Sequence, residues 1–394
     1  MPGTLLQATF LMLPFPTTLR IFYLHFPFCA RICPFCAFAV CKDRPEAHEA
    51  YVSGMLQELR LQLKTEIKPP VLDSIYLGGG TPSRMTLAEL EQFFCGLRQE
   101  LTIAPNAEIA FELNPEEVEP SYLSGLQDLG ITRLSLGGQS FQDETLKRLG
   151  RVHDARQLQR ALEVIHGSDF RNWNLDLMFG VPGQANAQFL EDVSEAIRWQ
   201  PAHVSLYGLE VHDATPFSRD AEIRGWPEGH HPEAAEMYLA GVERLVAAGL
   251  RQYEVSNFAR PGFEGRQNLR VWDGEPYLGL GTGAHSYVGS TRWGNLRSLQ
   301  RYLAAVNSGI FPEDFRETLD RVQQANEWLM LQLRRVEGID LQVWRDHFGI
   351  EQPLPQPLLE RLHNEGRAVW NPPHFRLTPS GFLFADGITA QLLP

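Results

Sequence analysis

Six short β-rich runs alternating with longer stretches of helical period constrain this chain more than any other feature. The runs are Ile21 to Phe26, Ser74 to Leu77, Glu108 to Leu113, Arg133 to Leu136, Asn174 to Met178 and Val204 to Leu209, and the helical stretches lie near 46–66, 86–100, 155–166, 187–199 and 232–248. Parallel strands need a long crossover between them, so the alternation predicts βα units around a parallel sheet. Six units are too few for a closed eight-stranded barrel. They predict an α/β fold built as a partial (βα)6 TIM-like barrel, open on one side, with a flat doubly wound sheet as the alternative.

At 394 residues the chain exceeds what one core usually serves, and past Tyr302 its character changes. Amphipathic stretches at Val322 to Val336, Leu341 to Phe348 and Leu358 to Glu365, followed by a hairpin from Val369 to Leu377, predict a winged-helix-like unit. The expected organisation is a leader over 1–20, a partial barrel with its extension over 21–302, and a C-terminal unit over 303–394. The apolar start, Leu5 to Phe28, has no positive n-region, and Pro14, Pro16 and Arg20 interrupt it. It reads as a poorly ordered leader on a cytoplasmic chain rather than as a signal peptide or membrane anchor, with Met12 as an alternative start.

Charge narrows the partners. The chain carries 48 acidic and 35 basic side chains, net −13, which repels a phosphate backbone. From Phe315 onward there are eight Arg and no Lys against ten Asp plus Glu, so the winged-helix-like unit is not expected to read DNA. A lid or docking module over the open side of the barrel is the expectation instead.

The chemistry concentrates just beyond the strand ends, where barrel enzymes build their sites. The first run leads into Cys29-Ala30-Arg31-Ile32-Cys33-Pro34-Phe35-Cys36, three thiols within eight residues. Thiols so close can share one inorganic centre, and Pro34 stiffens the turn between two of them. Five cysteines in a long chain without an export signal do not make a disulfide framework. Zinc stays open on local sequence, because Cys41 or His25 could complete four ligands.

The second run leads into Gly78-Gly79-Gly80-Thr81-Pro82, whose backbone could approach a ligand closely and offer N–H groups to a carboxylate or phosphate, or could form a tight turn. The third ends in Glu112-Leu113-Asn114-Pro115, the fourth in Gly137-Gly138-Gln139-Ser140, and the fifth carries Asp176 ahead of Gly180-Val181-Pro182-Gly183-Gln184. Glu112, Gln139 and Asp176 do not belong on strands meant for burial unless they face a ligand. Arg151, in Leu149-Gly150-Arg151-Val152-His153, could pair with a ligand carboxylate or with Asp176, or lie on the surface. His153, His230 and His231 read as solvent-exposed or capping residues, with no metal assigned.

Taken in order from Phe22 to Val288, these motifs resemble the radical S-adenosylmethionine superfamily. They begin with Tyr23-x-His25-x-Pro27-Phe28-Cys29 and the Cys-x-x-x-Cys-x-x-Cys loop. The Gly-Gly-Gly-Thr-Pro-Ser loop, Glu112, the Gly-x-Gln turn, Leu-Gly-Arg-x-His and Asp-Leu-Met-x-Gly-x-Pro-Gly-Gln follow. Within the superfamily they are similar to the branch that holds oxygen-independent coproporphyrinogen dehydrogenases and heme chaperones. The resemblance implies that Cys29, Cys33 and Cys36 ligate three irons of a 4Fe-4S cluster, leaving the fourth open to the amino and carboxyl groups of S-adenosylmethionine. It also implies that Tyr23, Gly79, Gly80, Thr81, Glu112, Gln139, Arg151 and Asp176 line the S-adenosylmethionine site.

Two positions divide the branch. Where the dehydrogenase has a further cysteine two positions after the third ligand, this chain has Phe38, as the chaperones do, and an aromatic ring offers a porphyrin only apolar surface. The chaperone motif His-Asn-x-x-Tyr-Trp reads Gln267-Asn268-Leu269-Arg270-Val271-Trp272 here, which removes its imidazole. His285 is the nearby substitute, with a hydrogen-bonded strand-end histidine as the plain alternative. The expected function is a heme chaperone that delivers heme to acceptor apo-hemoproteins. The rivals are coproporphyrinogen dehydrogenation in porphyrin biosynthesis and a zinc-stabilised binding protein.

Overall fold

The computed structural model describes residues 19–64, 71–220, 232–351 and 355–393. Positions 1–18 of the expected leader and the pair His230 and His231 lie outside them. Six parallel strands follow one another in space as in sequence: β1 (Ile21–Phe26), β2 (Val71–Gly79), β3 (Thr102–Leu113), β4 (Arg133–Gln139), β5 (Trp173–Phe179) and β6 (His203–Gly208). Each expected helical stretch is present, as His48–Leu63, Leu87–Glu100, Ala155–Gly167, Asn186–Arg198 and Pro232–Ala247. Beyond β6 the sheet continues into two short antiparallel strands, β7 (Arg251–Gln252) and β8 (Asn257–Ala259). Beyond β1 it continues through β9 (Tyr277–Leu280), parallel to β1, into the antiparallel β10 (His285–Val288), β11 (Thr291–Asn295) and β12 (Glu313–Thr318).

The period of two along the strands explains why this is a curled sheet with a polar interior. Ile75 and Leu77, Ile109 and Phe111, Leu134 and Leu136, Leu175 and Leu177, Val204 and Leu206 are all buried in the layer shared with the helices. The alternate positions, among them Tyr76, Glu112, Ser135, Asn174, Asp176 and Ser205, hydrogen-bond to one another along and across the strands. The helices match this shape. Ala155–Gly167 turns Leu158, Ala161, Leu162 and Ile165 inward at helical spacing, and a reciprocal cap between Asp154 and Gln157 starts it. Each fully buried Leu or Ile there stabilises the layer by about 1.5–3 kcal/mol, and Leu162→Ala would cost about 2–5 kcal/mol.

The lower end of the barrel is sealed by the helix Arg266–Trp272, which carries the Gln-Asn-x-x-x-Trp stretch. Arg266 N donates to Glu108 Oε1 at 2.9 Å, Ser74 Oγ donates to Gln267 Oε1 at 3.0 Å, and Arg270 pairs with Asp73 at 2.9 Å. His203 donates from Nδ1 to Asn174 Oδ1 at 2.7 Å and accepts at Nε2 from the Tyr253 hydroxyl at 2.8 Å. Burial, then the charge of Arg133, pushes this imidazole well below its ordinary pKa, so it is neutral.

Three helices, Arg321–Gln332, Leu341–Phe348 and Gln356–Asn364, and a three-stranded sheet of Ile339–Asp340, His374–Leu377 and Ala368–Asn371 form the C-terminal unit, the layout expected from the sequence. It is tied to the sheet beside β8 and to the floor helix. Val255 N bonds Arg334 O at 2.9 Å beside β8, and Gln332 Nε2 bonds Trp272 O at 2.8 Å on the floor helix. The position 302/303 falls inside the helix Leu299–Asn307, and β12 still belongs to the large sheet, so 303–318 is built into the barrel extension rather than into the C-terminal unit. Among the described residues no helix is long and apolar enough to cross a membrane.

Candidate functional site

The cysteine loop is pinned at its base before any ligand is considered. Phe28–Cys29 pairs in parallel with Cys41–Lys42, Cys41 N donates to Pro27 O at 2.8 Å, and Asp43 N donates to Cys29 O at 2.8 Å. Asp43 is in turn gripped by Arg84, at 2.8 Å from Nε and 2.6 Å from Nη2, and by His48 Nε2 at 2.7 Å. Burial pushes the Asp43 carboxyl up, but these partners hold it below its ordinary range, so it is ionised. Nothing in the local sequence marked Asp43, because its partners come from two other segments.

The glycine triplet works differently from its sequence reading. The N–H groups of its last two glycines and of Thr81 are occupied by the chain itself: Gly79 N donates to Glu112 Oε2 at 3.1 Å, Gly80 N to Phe26 O at 2.7 Å and Thr81 N to Phe28 O at 2.9 Å. A Cβ on Gly80 would come within 2.7–2.9 Å of the Pro27, Phe26 and Phe28 backbone. Gly79 has φ +111° and lies against the His25 ring. The close approach that demands glycine is therefore that of the cysteine segment.

Three of the five cysteines act on one another. Burial pushes the Cys29 thiol up to about 12, opposed by a hydrogen bond with Thr81 and reinforced by Cys36 and Cys33, while burial likewise raises Cys36. Cys41 answers instead to Arg44 and Asp43, and its place in the closing ladder sets it apart. His25 has both ring nitrogens engaged, Nε2 with Ala39 O at 2.9 Å and Nδ1 with the Tyr23 hydroxyl at 3.0 Å. Burial pushes its pKa down to about 4. Neither residue is placed to complete a four-ligand zinc set. Among the described residues no three His, Cys, Asp or Glu side chains are gathered tightly enough for one ion.

Arg151 reaches this group from below. It lies in the interior, with Nη1 3.6 Å from Cys33 Sγ and Nη2 2.6 Å from Asn114 Oδ1 and 3.1 Å from Gly137 O, while its buried Nε has no partner among the described residues. It does not bond Asp176. That carboxylate sits deeper, accepting from Asn174 Nδ2 at 2.7 Å, and burial raises its pKa. Glu112 accepts from the Tyr76 hydroxyl at 2.7 Å and from Gly79 N; burial pushes it up to about 7 despite the Tyr76 hydrogen bond, and Asp176 adds to the rise. Gln139 follows a break in register between β4 and β5 and adopts φ +68°, a strained conformation for a side-chain-bearing residue. Tyr23 stacks on Tyr76 with centroids 6.2 Å apart. The interior therefore gathers Tyr23, Glu112, Gln139, Arg151 and Asp176 beneath the thiols, with Thr81 against Cys29. Asn114, which anchors Arg151, lies in the Glu112-Leu113-Asn114-Pro115 stretch, but its side chain carries no signal of that role in the sequence. His153, expected at the surface, is buried and bonds Gly138 O at 3.1 Å.

The family model described as Radical SAM superfamily matches residues 23–196, and that described as HemN C-terminal domain matches 319–384. A protein of Bacillus subtilis named heme chaperone HemW is 31% identical over 94% of this chain and 98% of its own length. The HemW of Escherichia coli is 31% identical over 94% and 97%. In structure, the coproporphyrinogen III oxidase HemN of Escherichia coli superposes with a TM-score of 0.82 at 21% identity, covering 96% of this chain and 91% of that one, which is a likeness of fold. The chain belongs to the radical SAM superfamily and, within it, to the HemW family. Membership implies a 4Fe-4S cluster and S-adenosylmethionine.

Proposed function

We propose that the chain is a heme chaperone: it binds heme and passes it to acceptor apo-hemoproteins on a radical SAM scaffold. Cys29, Cys33 and Cys36 hold the 4Fe-4S cluster. The donor set suits it, because three thiols, one buried and two half-buried, leave one iron open without a fourth, and Arg151 reaches Cys33 Sγ through Nη1 while its buried Nε is without a partner among the described residues. The cluster, when bound, supplies that open iron position and a reducing electron. Glu112, Gln139, Arg151 and Asp176, with Tyr23 and the Gly79–Thr81 backbone turn, line the S-adenosylmethionine site. Arg151 suits the carboxylate of that ligand, and Glu112 and Asp176 its hydrogen-bond donors.

The observation that carries the chaperone reading is Phe38. Its backbone supports the Cys36 thiol, while the residue is 69% exposed at the edge of the loop. A ring there can neither ligate nor relay a proton, which a dehydrogenase neighbourhood would require of that position. The test is anaerobic reconstitution, then heme titration and a coproporphyrinogen turnover assay on one sample. Heme binding without turnover supports the reading. Decarboxylation dependent on S-adenosylmethionine would make the chain a dehydrogenase.

A further inference from the structure

A second concavity lies far from the cysteines in sequence, where the strand extension meets the C-terminal unit. β10, β11 and β12 form one wall, the helices Arg321–Gln332 and Leu341–Phe348 the other, and the cleft between them has a volume of about 790 Å³. That is within the roughly 300–1,000 Å³ typical of cofactor-sized ligands. Aromatic rings come from both sides: Tyr287 and Phe315 from the strands, Trp328 and Phe348 from the helices. Two imidazoles join them, His285 from the strand wall and His347 from the helix wall. The His285 ring stands edge-on to Phe315 with centroids 5.3 Å apart and has no hydrogen-bond partner among the described residues.

We propose that this cleft is the heme site of the chain, with His285 an axial ligand to the iron and the aromatic walls against the porphyrin. The inference rests on the reading that the protein binds heme and names where. Flat aromatic surfaces suit a flat macrocycle, and imidazole is the side chain that iron in heme takes most readily. Both rings are neutral: burial, then Arg297 and Arg292, lowers His285, and burial, then Arg321, lowers His347. The charge of the lining fixes the orientation. Arg292 is already paired, with Glu317 at 2.5 Å and Glu327 at 3.0 Å, and Glu275 adds a third carboxylate. The propionates must then face solvent while the apolar macrocycle enters.

The position of Gln267 supports this placement. It is 8% exposed and faces the barrel floor through its bond with Ser74, so no ligand reaches it. The far end of the same segment, at Val271 and Gly274, forms part of the cleft instead. The strand-end reading of His285 is corrected accordingly: the residue begins a strand but is exposed to the cleft rather than tied by a hydrogen bond.

The experiment is heme titration of the full-length protein, prepared without a cluster, read by Soret position and dissociation constant. His285→Ala should shift the Soret band and weaken binding at least tenfold, added imidazole should restore the band position, and Phe315→Ala should weaken binding several-fold. His347→Ala distinguishes one axial imidazole from two. Heme binding by the unaltered protein with an unmoved Soret band and affinity in both His285→Ala and His347→Ala would overturn the site and leave the chaperone reading standing. Loss of binding in Phe38→Ala, with His285→Ala unaffected, would move the porphyrin to the cysteine loop and likewise overturn it. Failure of the unaltered protein to bind heme would overturn both. Thermal unfolding of each variant separates a lost ligand from a lost fold, and imidazole rescue does so independently.

Discussion

At the floor of the barrel, Ser74, Glu108 and His203 each meet a partner from Tyr253 or the segment 266–267. At the mouth, Glu112 and Asp176 bond only to neighbouring strand residues, Arg151 bonds Asn114 and Gly137 O while its buried Nε has no partner among the described residues, and Tyr207 is 42% exposed. The difference lies in what closes each end. A helix delivered late in the chain satisfies the floor, whereas the mouth ends in a loop whose thiols, Arg151 and carboxylates face one another across the interior. Buried polar groups with every partner in place hold a fold together. Those gathered without full cover are available to a ligand.

The largest test of that contrast is at the loop. Cys29→Ser, Cys33→Ser and Cys36→Ser should each abolish the visible iron–sulfur absorbance after anaerobic reconstitution, whereas Cys41→Ser and Cys95→Ser should keep it. Full absorbance in any of the first three would undo the assignment, and zinc in place of iron would replace it.

At the mouth, alanine at Glu112, Gln139, Arg151 or Asp176 should weaken S-adenosylmethionine binding by about 1–3 kcal/mol where a charge-assisted hydrogen bond is lost, with a smaller change in melting temperature. Calorimetry showing four unchanged affinities would make these residues structural, as the floor residues are. The floor should show the reverse. Tyr253→Phe strands His203 Nε2 and the Gly265 N–H, which donates to the Tyr253 oxygen at 3.2 Å, and should cost stability by about 1–3 kcal/mol while leaving S-adenosylmethionine affinity intact.

A last contrast between the two ends is in pH. Burial pushes both Glu112 at the mouth and Glu254, beside Trp272 at the floor, up to about 7. A carboxyl with a raised folded pKa binds its proton more tightly folded than unfolded, so its stabilising contribution is complete below the unfolded value of about 4.3 and is lost as pH rises through the folded one. Glu254→Gln should therefore flatten a decline in stability of about 1–3 kcal/mol between about pH 4.5 and 7. S-adenosylmethionine affinity should instead rise over about pH 6 to 8 as Glu112 ionises, and Glu112→Gln should remove that rise. A titration in which both substitutions act only on stability would erase the distinction between the two ends.

By itself the sequence determined the six strands, the five principal helices and the winged-helix-like unit, because each carries its own period in its own residues. The order of the mouth residues along the chain was legible for the same reason: strand ends recur at the same rim. The floor was not. Gln267, Ser74, Tyr253 and His203 come from four separate segments, and only closure of the sheet brings them together. The extension β9 to β12 also escaped, since its short strands of mixed polarity are set by pairing onto β1 rather than by an internal pattern. The glycine triplet was seen, but its purpose was not, because the backbone it accommodates is a loop some fifty residues earlier. His285 shows the limit most directly. Its identity was plain in the sequence, but the cleft it faces exists only where a strand and a helix about sixty residues apart meet, and burial, ring contacts and ligand access are properties of that meeting.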